Sequence, residues 1–337
     1  MTIDTLSDGT RSEAIFEEAA AAVLRGDASG LKALLRLHPA LTKQRSSLPH
    51  HATLLHFIAD NGVESVDRYP DDGAAPLHRY PANAVEMLDI LLAAGADVNA
   101  TADFYGGGAT TLGLVATSIH PARAGVQLLL LERLLAAGAQ IDASDAAGNR
   151  QRAVVGCLAN GRPEAAAWLA GHGALLDLEA AAGVGRLDVV ESYFDGDGKL
   201  KDAAAWVQLG PGLVWASEYG HVGVMDFLMD RGVDPREAVN GVYALDMAVC
   251  GGHLPAIRLL IQRGAPLESQ NRYGGTPLGM AFYVLGQRDA VHIWPASNVD
   301  DLVVIGELVR AGAEGGPELL SAMIDSPLKT AIGELFR

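Results

Sequence analysis

The chain has 337 residues, of which 49% are hydrophobic and 20% charged, so it can bury a sizeable core and does not belong to the disordered class. Its formal net charge of −16 opposes nonspecific binding to nucleic acids and anionic membranes, because their phosphates would be repelled. No run of about 18 uncharged apolar residues is present, so the sequence predicts no membrane-spanning helix. The N-terminal segment lacks the basic start and apolar stretch of a leader, and we expect a cytoplasmic protein.

A short motif of apolar residues followed by Gly and a small residue recurs along the chain. It reads LLAAGA at 91–96 and 134–139, WLAGHGA at 168–174, LMDRGV at 228–233, LIQRGA at 260–265 and LVRAGA at 308–313. The glycines are 43, 35, 59, 32 and 48 residues apart, which indicates a repeat whose units differ in length. Apolar residues of helical period precede these glycines, so each Gly is predicted to end a helix in the left-handed conformation.

A second set of segments stands ahead of these glycines. They are TLLHFIADNG at 53–62, TTLGLVA at 110–116, WASEYGH at 215–221, ALDMAVCGGH at 244–253 and TPLGMA at 276–281. Together with tails such as GADVNA at 95–100, they resemble the T-P-L-H-x-A, G-H and G-A-D-V-N-A elements of the ankyrin repeat family. The resemblance covers about residues 13–315. It implies an all-α solenoid of helix-turn-helix repeats with short hairpin turns, whose usual role is protein–protein interaction.

The repeats and their flanks divide the chain as follows. We expect an N-terminal tail at 1–12, about eight repeats at 13–45, 53–100, 101–143, 144–177, 178–200, 201–235, 236–268 and 269–315, and C-terminal capping helices at 316–337. A repeat array buries each unit only against its neighbours, so the two ends need caps. The chain is therefore predicted to form one array.

Three segments between the first and second helices of their repeats are longer than the tight turn that the family has there. They are VESVDRYPDDGAAPLHRYPA at 63–82, a segment containing TSIHPARAG after Ala116, and YVLGQRDAVHIWPAS at 283–297. Because all three occupy the same slot, we expect them along one edge of the array, with the first two in contact. Long loops in compact domains are more often functional than decorative.

The first two insertions and the intervening turn contain aromatic, imidazole and guanidinium side chains that can enclose an anionic or planar ligand. The candidate ligand-binding residues are Arg68, Tyr69, His78, Arg79, Tyr80, Tyr105, His120 and Arg123. If this site is catalytic, His120 or His78 is the general base, because imidazole titrates near neutral pH. The alternative is that these side chains only pack on one another in solvent-facing loops.

Two functions therefore stay open. The first is protein binding through a concave face and the edge of inserted loops; the second is a small-molecule or enzymatic site near 64–82 and 117–125. We expect no cofactor, and no nucleic-acid or membrane partner. Gly113 and Gly279 replace the family's His, which reflects either adjustment to the insertions or room for a ligand.

Several histidines and both cysteines are expected to have structural rather than functional roles. His50, His51, His56 and His78 lie near Asp71 and Asp72 in sequence, but this metal-like composition is a weak signal, and we predict no metal site. His56 matches the T-P-L-H element, and His221 and His253 match the G-H element, so all three are expected to be structural. Cys157 and Cys250 lie in apolar surroundings and are predicted to be core residues rather than a disulfide.

Overall fold

The computed structural model describes residues 8–61, 80–143, 152–287, 301–321 and 327–336. The structure is mostly helical and divides into two compact units, Met1–Leu175 and Leu176–Arg337. Within the described ranges, no helix is both long enough and apolar enough to cross a membrane. The helical fold predicted from the sequence is confirmed, whereas the count of eight repeats and their continuation as one array stay predictions.

The first unit contains two layers of helices. Its helices are α1 (Asp8–Arg25), α2 (Ala28–Leu37), α3 (Ala84–Ala93), α4 (Thr111–Thr117), α5 (Ile119–Arg123), α6 (Gln127–Ala136), α7 (Ala153–Ala159) and α8 (Pro163–Gly171), with 3₁₀ helices at Pro39–Thr42 and Leu54–Ala59. One layer holds α1, the 3₁₀ helix Leu54–Ala59, α4 and α7, and the other holds α2, α3, α6 and α8. Strands β1 (Thr101–Ala102) and β2 (Ala109–Thr110) pair antiparallel ahead of α4.

The second unit repeats the same arrangement. Its helices are α9 (Leu178–Gly183), α10 (Leu187–Ser192), α11 (Leu209–Glu218), α12 (Val222–Asp230), α13 (Ala244–Gly251), α14 (Leu254–Gln262), α15 (Pro277–Gln287), α16 (Asp301–Arg310), α17 (Gly316–Ser321) and α18 (Pro327–Leu335), with a 3₁₀ helix at Ala203–Gln208. We call α9, α11, α13 and α15 the first helices, because they pack side by side in chain order; α10, α12, α14 and α16 form the layer of second helices. Leu213, Leu228, Leu245 and Leu260 lie in the core between the layers.

The predicted glycine caps are confirmed. Gly95, Gly138, Gly173, Gly232, Gly264 and Gly312 have φ between 84° and 99°. A side chain at such a φ clashes with the backbone, so glycine is the residue that turns the chain out of each second helix at the least cost.

The histidines assigned to the repeat motifs tie neighbouring repeats together. His221 Nε2 lies 3.1 Å from the carbonyl oxygen of Gly183 in the preceding first helix, and burial lowers the pKa of His221. In the first unit, His56 Nδ1 accepts from the backbone N–H of Thr53 at 3.1 Å, and its Nε2 faces the carbonyl of Ala109 at 3.3 Å. Burial lowers the pKa of His56 to about 4, so this ring stays neutral, as a structural hydrogen-bonding group requires.

Two insertions differ from the open loops that the sequence predicts. In the second, residues 119–123 form α5, whose N-cap Ser118 accepts from the backbone N–H of His120 at 3.2 Å. The third insertion was predicted to begin at Tyr283. This prediction is wrong, because residues 283–287 continue helix α15. Its apolar sequence lets the helix keep packing on its neighbours, and residues 288–297 lie outside the described ranges. The two cysteines are free and buried, as predicted.

Candidate functional site

The segment that precedes the first insertion contacts the second insertion in the first unit. Asp60 ends the 3₁₀ helix Leu54–Ala59 in the left-handed conformation, with φ of 47°. Its Oδ2 lies 3.6 Å from His120 Nδ1 on α5, and both side chains are nearly fully buried. This contact joins the segment ahead of the first insertion to helix α5 of the second.

Asn61, the next residue, connects three elements. Its Oδ1 accepts from the Tyr105 hydroxyl at 2.7 Å, and its Nδ2 donates to Thr117 Oγ1 at 3.3 Å. Where the chain returns from the first insertion, the Tyr80 hydroxyl donates to the carbonyl oxygen of Ile58 at 2.7 Å. Burial, and then the Asp60 carboxylate, raise the pKa of Tyr80, which keeps the phenol protonated as a donor. The chain is therefore anchored just ahead of the insertion, at Asn61, and near the insertion's C-terminal end, at Tyr80.

Tyr105 combines a fixed hydroxyl with an open ring. It lies in the turn between β1 and β2, with φ of 50°, a value uncommon for a residue other than glycine. The side chain is 77% exposed although its hydroxyl is bonded to Asn61. The ring is thus held in one place with most of its surface open for stacking.

The corner between α4 and α5 is held from inside the unit. Gln127 is buried, and its Nε2 donates to the carbonyl oxygens of Val115, Ala116 and Ser118 at 2.9, 3.0 and 3.2 Å. Arg162 Nε also donates to the Ser118 carbonyl at 3.2 Å. These bonds help to fix the backbone that carries His120, because they supply donors to carbonyl groups at a buried corner.

The structure brings part of the predicted site together. Tyr80, Tyr105 and His120 all contact the 58–61 segment, and Arg123 is exposed on α5 without an ion pair to any described residue. Arg68, Tyr69, His78 and Arg79 lie outside the described ranges. Sequence reasoning missed Asp60, Asn61 and Gln127. The available signal was the position of Asp60 and Asn61 immediately before the inserted segment.

The histidines near position 50 have other roles. His51 Nδ1 lies 2.8 Å from Asp103 Oδ2, and the His50 ring stacks on Phe104 with centroids 4.8 Å apart. Within the part of the chain that the structure describes, no group of three His, Cys, Asp or Glu side chains is placed to hold a metal ion. Asp71, Asp72 and His78 lie outside that part.

In the second unit, exposed apolar side chains lie on two of the segments that precede first helices, namely the 3₁₀ helix before α11 and the turn before α15. Trp206, Val207 and Tyr273 are 64%, 74% and 79% exposed. The turn at 239–242 adjoins both of its neighbours: a Cβ on Gly210, at the start of α11, would lie 2.9 Å from Val239, and the backbone N–H of Arg272 donates to the Gly241 carbonyl at 2.8 Å. We call residues 203–208, 239–242 and 271–275 the turn row.

The first helices of the second unit present a partly open apolar face beside the turn row. Trp215, Met247 and Met280 recur at spacings of 32 and 33 residues, and each is half-buried. The indole Nε1 of Trp215 donates to Glu179 Oε1 at 2.8 Å, and the rings of Trp215 and Tyr219 stack with centroids 6.4 Å apart. We call this surface the first-helix face.

The two helix layers of the second unit differ in charge. The first helices carry three carboxylates, Glu179, Glu218 and Asp246, and no Lys or Arg. Burial raises the pKa of Glu218 to about 7 and that of Asp246 to about 6. Sequence reasoning missed these buried carboxyls.

Three carboxylates of the second helices α12 and α16, by contrast, are paired with arginines. Arg258 Nε lies 2.9 Å from Glu307 Oε1, and Arg263 Nη1 lies 2.8 Å from Asp230 Oδ1. Arg263 also pairs with Asp226.

Comparison with known proteins identifies part of the second unit. Residues 213–293, which run from α11 through α15, match the family model of ankyrin repeats (3 copies). No curated protein matches the chain. The resemblance predicted from the sequence motifs is confirmed over the matched residues.

Proposed function

We propose that this chain, which contains ankyrin repeats over residues 213–293, binds a protein partner through the turn row and the first-helix face of its second unit. Ankyrin repeats generally mediate protein–protein interaction. The observation that carries the proposal is the exposure, by 64–79%, of Trp206 and Val207 on one segment of the turn row and of Tyr273 on another. Exposed apolar patches mark interaction sites, and aromatic residues dominate the energetics of interfaces. The net charge of −16 supports a partner other than a nucleic acid or an anionic membrane.

Affinity purification from the native cells, with proteins identified by mass spectrometry, tests this proposal. A partner should co-purify with the wild-type chain and be lost from the double variant Trp206→Ser/Tyr273→Ser. Leu37→Ser is the matched control, because Leu37 is 66% exposed but lies on α2 of the first unit. Equal recovery of the same proteins with all three chains would contradict the proposal.

A second candidate is a small-molecule or enzymatic site at the inserted edge of the first unit. The observation that favours it is the buried Asp60–His120 pair near the open ring of Tyr105. In this function Tyr105 stacks on a planar ligand and the Arg123 guanidinium pairs with an anionic group; for catalysis, Asp60 orients His120 as the general base.

A thermal-shift screen with a panel of anionic metabolites tests the second candidate. A ligand raises the melting temperature of the wild-type chain, and the rise disappears in Tyr105→Ala and in Arg123→Ala. A panel that leaves the wild-type melting temperature unchanged, or shifts that both variants retain, would count against this site.

A further inference from the structure

We infer that the partner presents a single Asp or Glu, beside aromatic or aliphatic side chains, to the turn row, and that this carboxylate binds the guanidinium of Arg272. The inference rests on the proposed function and names the chemistry of the partner segment. It follows from the exposed pair of Arg272 and Tyr273 and from the uncharged side chains of the rest of the turn row.

Arg272 and Tyr273 form an exposed pair in the turn before α15. The Arg272 Cζ atom lies 5.0 Å from the centroid of the Tyr273 ring, and both side chains are exposed. This cation–π contact supplies no acceptor oxygen, and no carboxylate among the residues that the structure describes pairs with Arg272. The guanidinium can therefore bind a partner's carboxylate through two parallel N–H···O bonds.

Other exposed arginines of the second unit differ because the chain supplies their carboxylates. Arg186 lies 2.6 Å from Asp188, and Arg236 lies 2.7 Å from Asp234. A partner's carboxylate gains little from a guanidinium that is already paired. The charge pattern thus directs an acidic side chain of the partner to Arg272.

The backbone that carries the pair is fixed before any partner binds. Asn271 is buried, and its Oδ1 accepts from the backbone N–H groups of Tyr273 and Gly275 at 3.0 and 3.2 Å. The backbone N–H of Arg272 donates to the Gly241 carbonyl at 2.8 Å, which ties this turn to its neighbour. A preorganised pair loses less conformational entropy on binding, so more of the contact energy appears as affinity.

The rest of the turn row selects apolar side chains. Its segments at 203–208 and 239–242 contain no charged residue, and Trp206 and Val207 are largely exposed on the first of them. Carboxylates flank these segments at Asp202 and Glu237, and the whole chain has a net charge of −16. A densely acidic segment would be repelled, so the partner segment carries one acidic residue among apolar ones.

One short segment can reach both exposed parts of the turn row. The first helices α11, α13 and α15 pack side by side. At about 8–10 Å between packed helices, the turns that precede α11 and α15 are on the order of 20 Å apart. An extended chain rises about 3.3 Å per residue, so about six residues span this distance. A segment of this length can place its acidic residue on Arg272 and an apolar side chain on Trp206.

Selection of a random dodecapeptide display library on the full chain tests the inference. Selected peptides should be enriched in a single Asp or Glu next to Phe, Tyr, Leu or Met. The dissociation constant of a synthetic selected peptide, measured by fluorescence anisotropy, should rise at least tenfold with Arg272→Gln, about 1.4 kcal/mol. Arg186→Gln, which removes an exposed guanidinium from the turn between α9 and α10, should leave it unchanged.

A charge swap tests the contact itself. Replacing the acidic residue of the peptide by Lys should weaken binding to the wild-type chain at least tenfold. The same Lys peptide should bind Arg272→Glu more tightly than it binds the wild-type chain, because the swap restores opposite charges at the contact. Independent, additive losses from the two changes would overturn the contact with Arg272.

The remaining outcomes separate the inference from the proposed function. Enrichment of basic or uncharged peptides whose binding is lost in Trp206→Ser/Tyr273→Ser overturns the inference and leaves the proposed function standing. Failure to enrich any peptide class overturns the inference, and unchanged recovery of cellular proteins by the same double variant overturns the proposed function. Concentration-dependent self-association that Arg272→Gln abolishes shows that a second copy of the chain occupies the turn row, and also overturns the inference.

Discussion

Replacing the Glu218 carboxyl by an amide should stabilise the protein at high pH and have a smaller effect at low pH. Burial raises the pKa of Glu218 from 4.5 to about 7, so the folded state binds more protons than the unfolded state between these values. Stability from this group is therefore present below the unfolded pKa and is lost as the pH rises through the folded pKa. At 1.36 kcal/mol per pKa unit, the full loss is about 3 kcal/mol. Glu218→Gln removes the titration while keeping the shape of the side chain.

The assay is urea denaturation followed by circular dichroism, for the wild-type chain and Glu218→Gln at pH 5.5 and at pH 8.5. The stability advantage of the variant should grow by about 2 kcal/mol between these two pH values, because most of the linkage falls in this window. The contributions of the other titrating groups cancel in the difference between the two chains, since both chains contain these groups. Glu191→Gln, at an exposed site, should show no such growth. A difference between Glu218→Gln and wild type that does not change with pH would refute the assigned burial.

Three further outcomes follow from the geometry of the helices and their caps. Gly264→Ala should destabilise the fold by about 1–2 kcal/mol in urea denaturation, because Gly264 has φ of 84°. Its control is Gly171→Ala, at a helical site where an added Cβ also meets open space. This variant should stabilise the fold by up to about 1 kcal/mol in the same assay. Arg258→Ala should lower stability by up to about 1 kcal/mol, because Arg258 is half-exposed, and raise the pKa of Glu307 from about 2 in an NMR titration. Tyr80→Phe should cost about 1 kcal/mol in thermal unfolding, because it removes the hydroxyl that donates to a backbone carbonyl at 2.7 Å.

Sequence reasoning works where a local pattern determines local structure. The glycines at the ends of the second helices were predictable because an apolar stripe of helical period precedes each one, and their φ values confirm the caps. The structural hydrogen-bonding roles of His56 and His221 were predictable because their places in the motif repeat along the chain.

Other features depend on packing that a linear pattern does not contain. Glu218 resembles a solvent-facing helix residue in sequence, and only the neighbouring helices bury it. The pairing of Asp60 with His120 joins residues 60 positions apart through the geometry of α5, which the sequence had presented as a loop. The start of the third insertion was misplaced for a related reason, because the apolar sequence after Tyr283 continues a helix when a neighbouring helix covers it.

Hydrogen exchange of the full chain, with and without the co-purified partner, tests the central claim most directly. The account predicts that amides of the turn row at 203–208, 239–242 and 271–275, together with those of α11 and α13, exchange more slowly in the complex. Protection confined to the first unit, around Tyr105 and α5, would contradict it.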